Sequence, residues 1–377
     1  MKPKINLTYI VSNIDKAYAF EWIVQFLNRD KFNLSFILLN PGNSELELFL
    51  KKSQIDFHRL NYHGKGSIPG SIIKTYRILK LTGTQIVHTH LFDASIVGLI
   101  AGWLAGITKR IHTRHHSDFH HVYYPKAVKF DKIVNFLSTD IIAISKVVEQ
   151  ILINKERVSK KKVNLIHHGF RLDEFSNVSD LALDYIRGKY NPGNRWPVVG
   201  VISRYTEWKG VQNTIEAFRM LLVDFPGALL VLANAHGNFK VEIQKKLKAI
   251  PNENFVEIQF EPELFSLYQL FSVFIHAPIN REIEAFGQTY VEALAAGIPS
   301  VFTLSGIANE FIKDRENAIV VDYNNPGAIY IAIRELLNNK LLSDRITVNG
   351  RMDVYNYFNL DRMVLSLELL YEKQDAF

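Results

Sequence analysis

Short apolar runs rich in Ile and Val alternate along this chain with longer stretches of helical periodicity. Strands covered on both faces read as continuous hydrophobic runs, and their alternation with helices is the mark of βαβ units in parallel sheets. In the first half, Ile5 to Val11, Leu34 to Leu39, Ile86 to His90, Arg110 to Thr113, Ile141 to Ile144 and Val163 to Ile166 predict strands. Helical patterns lie between them, for example Ala17 to Asn28, Ser71 to Leu81 and Ser95 to Ala105. A polar stretch with Pro and Gly, Asn191 to Pro197, precedes a second series: Val198 to Ile202, Ala228 to Leu232, Val256 to Gln259, Val273 to His276, Ser300 to Phe302 and Ala318 to Val321. The fold class implied is α/β, with two doubly wound domains facing each other across a cleft. The boundary is expected between residues 172 and 196, giving an N-terminal domain of residues 1–175 and a C-terminal domain of 176–355. The tail, 356–377, holds an amphipathic helix over Asp361 to Lys373.

The stretch from Glu284 to Ser300 reads E-A-F-G-Q-T-Y-V-E-A-L-A-A-G-I-P-S. Gly297 supplies a left-handed residue past a helix end and Pro299 forbids continuation, so a helix is expected from near Gly287 to near Ala296. Glu292 then projects from the body of this helix. Glu284 lies in the loop before its N-terminus, where unpaired N–H groups and the dipole favour an anion. Two acceptors flanking an anion-ready helix start suit a nucleotide-sugar, with ribose at one carboxylate, sugar at the other and diphosphate between.

In open parallel sheets ligands bind beyond the carboxyl ends of the strands. After Val198 to Ile202 come Arg204 and Lys209, a planar fork and a point charge able to neutralise a diphosphate leaving group without a metal. Two ordinary surface cations paired with Glu207 would look the same in sequence. The run H-T-R-H-H-S-D-F-H-H, His112 to His121, invites a metal reading, with His116 and His120 four apart. Ser117, Asp118 and Pro125 argue for a loop instead, and with no third ligand type in view the expectation is that no metal is held.

The 377 residues suffice for two domains with sizeable cores, and 47% hydrophobic with 22% charged is a globular composition. No segment is long and apolar enough to span a bilayer, and the N-terminus lacks a signal peptide's apolar run, so a cytoplasmic protein is expected. Zero cysteines exclude disulfides, thiolate zinc ligands and thiol nucleophiles. The net charge of +6 is modest for this size, and no aromatic-basic sheet motif is present, which argues against nucleic acid. Lys126, Lys129 and Lys132 follow His120, His121, Tyr123 and Tyr124, and a second basic group spans Lys155 to Lys162. Such runs are more often solvated faces, and contact with a lipid headgroup layer is the alternative left open.

The Glu284 to Ser300 segment resembles the signature of the retaining, GT-B-type glycosyltransferases of family 4, also called glycosyl transferases group 1. That signature is Glu, seven residues, Glu, then A-x-A-x-G-x-P, with Phe286 and Gly287 in the usual places. Further matches run in order: Gln85 to His90, Ile111 to His115, Ile141 to Ser145, Val163 to Phe170 and Val201 to Gly210. The resemblance implies a GT-B architecture of two Rossmann-like domains, with the tail helix returning to the first. It implies that Glu284 positions the transferred sugar, that Glu292 holds the ribose and that Arg204 and Lys209 hold the diphosphate. Phe286, Gly287, Gln288 and Thr289 would line the donor, and His115 would hydrogen-bond the sugar from the acceptor side. It places the base near Gln259 to Leu264. The donor is a nucleoside-diphosphate sugar, a substrate, and no cofactor is implied; the acceptor is a carbohydrate or lipid-linked hydroxyl, as in envelope polysaccharide, lipopolysaccharide or glycolipid synthesis.

Two departures from the family pattern stand out. The loop after the first strand has no glycine, so Ser12, Asn13 and Asp15 become acceptor-side candidates, and His168 replaces the usual Asn before Gly169. Asn234 and His236 replace a glycine pair and are candidates for holding the nucleotide. Two rivals are carried forward. A sugar-nucleotide 2-epimerase of the same architecture would turn over without an acceptor, and an inactive relative acting as a binding partner would turn over nothing.

Overall fold

The computed structural model describes residues 3–373; the last four residues of the expected tail, 374–377, lie outside the described residues. The chain divides into two compact units. The first comprises residues up to Phe170 together with those from Leu360 onward, and the second is Arg171–Asn359.

The first unit is built on a 7-stranded parallel sheet. Its strands are β1 (Ile5–Ser12), β2 (Phe32–Asn40), β3 (Asp56–Asn61), β4 (Ile86–His90), β5 (Lys109–Arg114), β6 (Asp140–Ala143) and β7 (Val163–Leu165), in the order β3-β2-β1-β4-β5-β6-β7. Central β1 is buried on both faces from Leu7 onward, which explains the apolar run Tyr9, Ile10 and Val11 in its second half. Edge strand β3 has no such run because only Leu60 is buried, and the sequence gives no sign of it. Helices Ile68–Leu81 and Phe92–Leu104 cover one face, where Val97 and Ala101 join Ile10, Ile37 and Val87 in a core. The tail helix Leu360–Glu372 packs on this unit. Tyr371 Oη lies 2.7 Å from His88 Nδ1 and 2.6 Å from Tyr9 Oη, all three side chains buried.

The second unit has a 6-stranded parallel sheet of β8 (Val198–Ile202), β9 (Leu229–Ala233), β10 (Phe255–Ile258), β11 (Val273–His276), β12 (Ser300–Phe302) and β13 (Ile319–Val320). The order is β10-β9-β8-β11-β12-β13, so the direction of winding reverses between β8 and β11. All six strands coincide with predicted runs. Val199, Val201, Leu230, Leu232, Val273 and Ile275 fill the core under helices Val211–Asp224 and Pro326–Asn338.

The unit boundaries differ from the expected 1–175, 176–355 and 356–377. Residues 171–175 belong to the second unit because Phe175 stacks edge-on against Phe265 at 4.7 Å and its carbonyl accepts a hydrogen bond from Gln269 Nε2. Residues 356–359 stay there because Phe358 packs on Phe286 and Phe311. The expected loop over His112 to His121 begins instead as β5 and ends inside a short helix, Phe119–Tyr123.

Candidate active site

The reversal of strand order between β8 and β11 opens a crevice at their carboxyl ends, the usual place for a ligand in such a sheet. Arg204 and Lys209 follow β8 and Glu284 follows β11. Gly210 joins the turn Glu207–Lys209 to the helix Val211–Asp224 in the left-handed region, at φ 72°. A Cβ there would stand 1.8 Å from the Ala277 carbonyl oxygen, so this close approach requires glycine. It brings Lys209 against the loop that carries Glu284.

Lys209 Nζ lies 2.5 Å from Glu284 Oε1, and His276 Nε2, at the end of β11, lies 3.2 Å from the same oxygen. The Glu284 N–H donates to Ser305 Oγ. Burial by itself would raise the Glu284 carboxyl, but the Lys209 ammonium and the His276 hydrogen bond outweigh it and hold the group down at about 2. His276 is lowered by burial and by Lys209, against the pull of Glu284. A neutral imidazole therefore donates Nε2–H, and its buried Nδ1 has no hydrogen-bond partner among the described residues. Both short contacts fall on Oε1; Oε2 makes no hydrogen bond among the described residues. The Lys209 ammonium also sits 4.8 Å from the Trp208 ring centre, which anchors it further. Arg204 is exposed, and its guanidinium has no ion pair among the described residues.

The helix after Glu284 runs Gln288–Ala295, close to the predicted span, with Gly287 before it at φ 88°. Gln288 and Thr289 form its first turn, and Thr289 Oγ1 is buried without a hydrogen-bond partner among the described residues. Phe286 turns its ring into the core against Phe358, and its carbonyl accepts from the Ile307 N–H. Glu292 is half-buried and accepts from Tyr268 Oη at 2.7 Å. Burial raises its carboxyl to about 7 against the lowering effect of that bond.

In the first unit His115 follows β5. Its Nε2 lies 3.1 Å from His90 Nδ1, and its ring stacks on His168 at 5.6 Å. Burial, with His116 adding, lowers it to about 4. His88, His90, His115 and His168 line an apolar cavity of about 60 Å³ with Tyr9, Phe20 and Met363. Ser12 Oγ accepts from the Ala94 N–H, and Asp15 accepts from the Glu45 N–H, so two of the three acceptor-side candidates serve the local backbone; the third, Asn13, sits in the left-handed region at φ 53°. Ser145 caps the helix Lys146–Gln150. The metal reading of the histidine run lacks a third ligand in sequence; in the structure Asp131 approaches His116 and His120.

His276 and Tyr268 escape the motif reading. His276 ends a predicted strand, so inspecting strand ends would have found it. Tyr268 lies on the helix Leu264–Tyr268, 24 residues before its partner, and leaves no local signal. Among the described residues no helix is long and apolar enough to cross a membrane.

Two family models match consecutive parts of the chain: Glycosyltransferase Family 4 over residues 23–174 and Glycosyl transferases group 1 over residues 184–353. The chain is 26% identical over 313 residues to the capsular polysaccharide biosynthesis glycosyltransferase CapM of Staphylococcus aureus, covering 80% of each chain. It is 23% identical over 317 residues to a UDP-Gal:alpha-D-GlcNAc-diphosphoundecaprenol alpha-1,3-galactosyltransferase of Escherichia coli, covering 80% of this chain and 78% of that one. In fold it is similar to Anabaena Alr3699/HepE in complex with UDP and glucose, with a TM-score of 0.83 and 16% identity over 97% of this chain and 99% of that one. With both sheets parallel, the signature carboxylates on either side of one helix start and the two models spanning most of its length, the chain belongs to the GT-B glycosyltransferases of group 1.

Proposed function

We propose that the chain moves a sugar from a nucleoside-diphosphate donor to a hydroxyl of a polysaccharide, lipopolysaccharide or glycolipid precursor, with the anomeric configuration retained and no metal needed at the diphosphate. The observation that carries the reading is the Lys209–Glu284 pair at the head of the helix Gln288–Ala295. It fixes a cation and a carboxylate beside free helix-end N–H groups before any substrate arrives. Oε2 of Glu284 is left to accept a sugar hydroxyl, and the Lys209 ammonium keeps two further N–H donors for phosphate oxygens. Arg204 adds a second cation. The relatives support the substrate class: CapM is named for capsular polysaccharide, the Escherichia coli enzyme for a diphosphoundecaprenol acceptor, and HepE binds UDP and glucose.

In the reaction the acceptor oxygen bonds to the anomeric carbon as the bond from that carbon to the diphosphate oxygen breaks. The electron pair leaves with the diphosphate, and the acceptor's proton passes to the departing phosphate oxygen on the same face. Positive charge grows on the sugar ring and negative charge on the diphosphate. In this reading Arg204, Lys209 and the Gln288 and Thr289 amides stabilise the second. Glu284 orients the sugar hydroxyls, Glu292 the ribose, and His115 serves the acceptor side. A covalent sugar intermediate has no second carboxylate assigned to form it.

A lipid-linked acceptor fits the first unit's surface. Tyr124, Phe130, Ile133 and Phe136 are exposed beside Lys126, Lys129 and Lys132, with Phe136 79% exposed. Apolar side chains and cations together suit an anionic headgroup layer. Binding to phosphatidylglycerol vesicles, absent with phosphatidylcholine and weakened by Phe136→Ser, is the expected result.

The test of the reaction is product analysis. Donor and a diphosphoundecaprenol-linked or free saccharide acceptor are incubated with the protein, and the new linkage is read by NMR. Transfer with the donor's anomeric configuration is expected. Inversion would overturn the mechanism, and turnover of the donor's sugar without an acceptor would favour the epimerase.

A further inference from the structure

Beside the first unit's sheet, two carboxylates and three imidazoles gather around one guanidinium. Arg114, at the end of β5, is 1% exposed; its Nη2 lies 2.5 Å from Glu156 Oε1 and its Nη1 3.3 Å from Asp131 Oδ1. Asp131 and Glu156 are equally buried, and Glu156 also accepts from Asn135 Nδ2 at 2.6 Å and contacts His121 Nε2 at 3.2 Å. The same Oδ1 of Asp131 meets His116 Nε2 at 3.2 Å, and its Oδ2 meets His120 Nδ1 at 2.7 Å. His116 Nε2 is buried and makes no properly directed hydrogen bond among the described residues.

We propose that His116, His120 and Asp131 form a structural site for a divalent transition metal, Zn²⁺ by preference. Their ligand atoms all lie within 4.8 Å of one another. With metal–nitrogen distances of about 2.0–2.1 Å, tetrahedral ligand atoms stand about 3.3 Å apart, so side-chain adjustments bring these three onto one ion. Two imidazole nitrogens and a carboxylate oxygen match the zinc preference, and a fourth position stays open to water or hydroxide. The charges agree. Two buried carboxylates against one guanidinium leave the cluster one positive charge short, and a divalent ion carrying hydroxide closes the count. Glu156 compensates the guanidinium that would otherwise repel the ion.

The ion would tie three pieces of chain together: the loop after β5, the short helix Phe119–Tyr123 and the helix Val128–Leu137. His116 directly follows His115, so the metal would hold the acceptor-side loop in shape. This role is separate from the diphosphate chemistry and does not depend on the proposed reaction.

The test uses the untagged full chain, stripped with chelator and titrated with Zn²⁺ by calorimetry and with Co²⁺ by absorption. One strongly bound equivalent is expected, with Co²⁺ giving the intense visible bands of a four-coordinate site and Zn²⁺ raising the melting temperature. His116→Gln and His120→Gln keep the Arg114–Asp131–Glu156 contacts, so they are expected to fold while losing more than the roughly 10–100-fold in affinity that removal of an outer partner costs. His63→Ala, at an exposed position elsewhere, serves as the control and leaves binding unchanged. No bound equivalent in the wild type, or an equivalent that survives both glutamine variants, would overturn the proposal and leave a cluster held by protons and Arg114 alone.

Discussion

Glu284 keeps its charge in a buried place because Lys209 and His276 both hold Oε1. Glu284→Gln should lower kcat by about 100–1,000-fold, the range for loss of one preorganised charge-stabilising group, with a smaller change in donor affinity. Lys209→Ala strands the carboxylate and should cost up to about 3 kcal/mol in chemical denaturation, below the full cost for a buried pair because Lys209 is partly exposed. The double variant Lys209→Ala with Glu284→Gln should recover the stability and not the activity, which separates folding from chemistry. Glu292 titrates near neutrality, with its carboxyl raised to about 7. An ionised carboxylate accepts both ribose hydroxyls, so donor affinity should rise with pH through about 7 and then level off, and Glu292→Gln should flatten the curve. For the free protein the sign is opposite: this raised group contributes stability that is full below its unfolded value of 4.5 and is lost as pH rises through about 7. At this scale the carboxylates and cations were legible because their spacing belongs to a recognisable pattern. Their partners were not, since Tyr268 and Ser305 meet Glu292 and Glu284 only through tertiary packing.

Elements were legible where burial on both faces writes a continuous apolar run, as in β8, β9 and β11, and illegible where an edge strand is half wet, as in β3. Turn chemistry decides how these elements aim their side chains. Gly210→Ala places a methyl group on the Ala277 carbonyl and strains φ, so it should destabilise by more than the about 1 kcal/mol of an ordinary substitution and lower activity by displacing Lys209. Gly188, exposed within the helix Asp180–Tyr190 and with open space at its Cβ position, should behave oppositely. Gly188→Ala is expected to stabilise by about 0.5–1 kcal/mol with activity unchanged, both read from denaturant midpoints.

For the molecule as a whole, the first unit is completed by the far end of the chain. Tyr9 and Tyr371 bond across 362 residues, a contact that no local pattern can announce; the family resemblance implies only that the tail helix returns to the first domain. Tyr371→Phe removes the hydroxyl shared by His88 and Tyr9 and leaves two buried polar groups short of a partner. It should cost about 1–3 kcal/mol, measured as a lower denaturant midpoint. The unit boundaries fall a few residues from the expected ones for a similar reason: Phe175 and Phe358 are claimed by distant aromatic partners. The central claim is that one nucleoside-diphosphate sugar is held by the residues around the helix Gln288–Ala295. It is tested most directly by calorimetry with a panel of such donors on the wild type, Lys209→Ala and Glu292→Gln. One donor binding tightly, and weakened by both changes in variants shown to be folded, is the predicted result; no donor binding, or an affinity indifferent to both changes, would contradict the account.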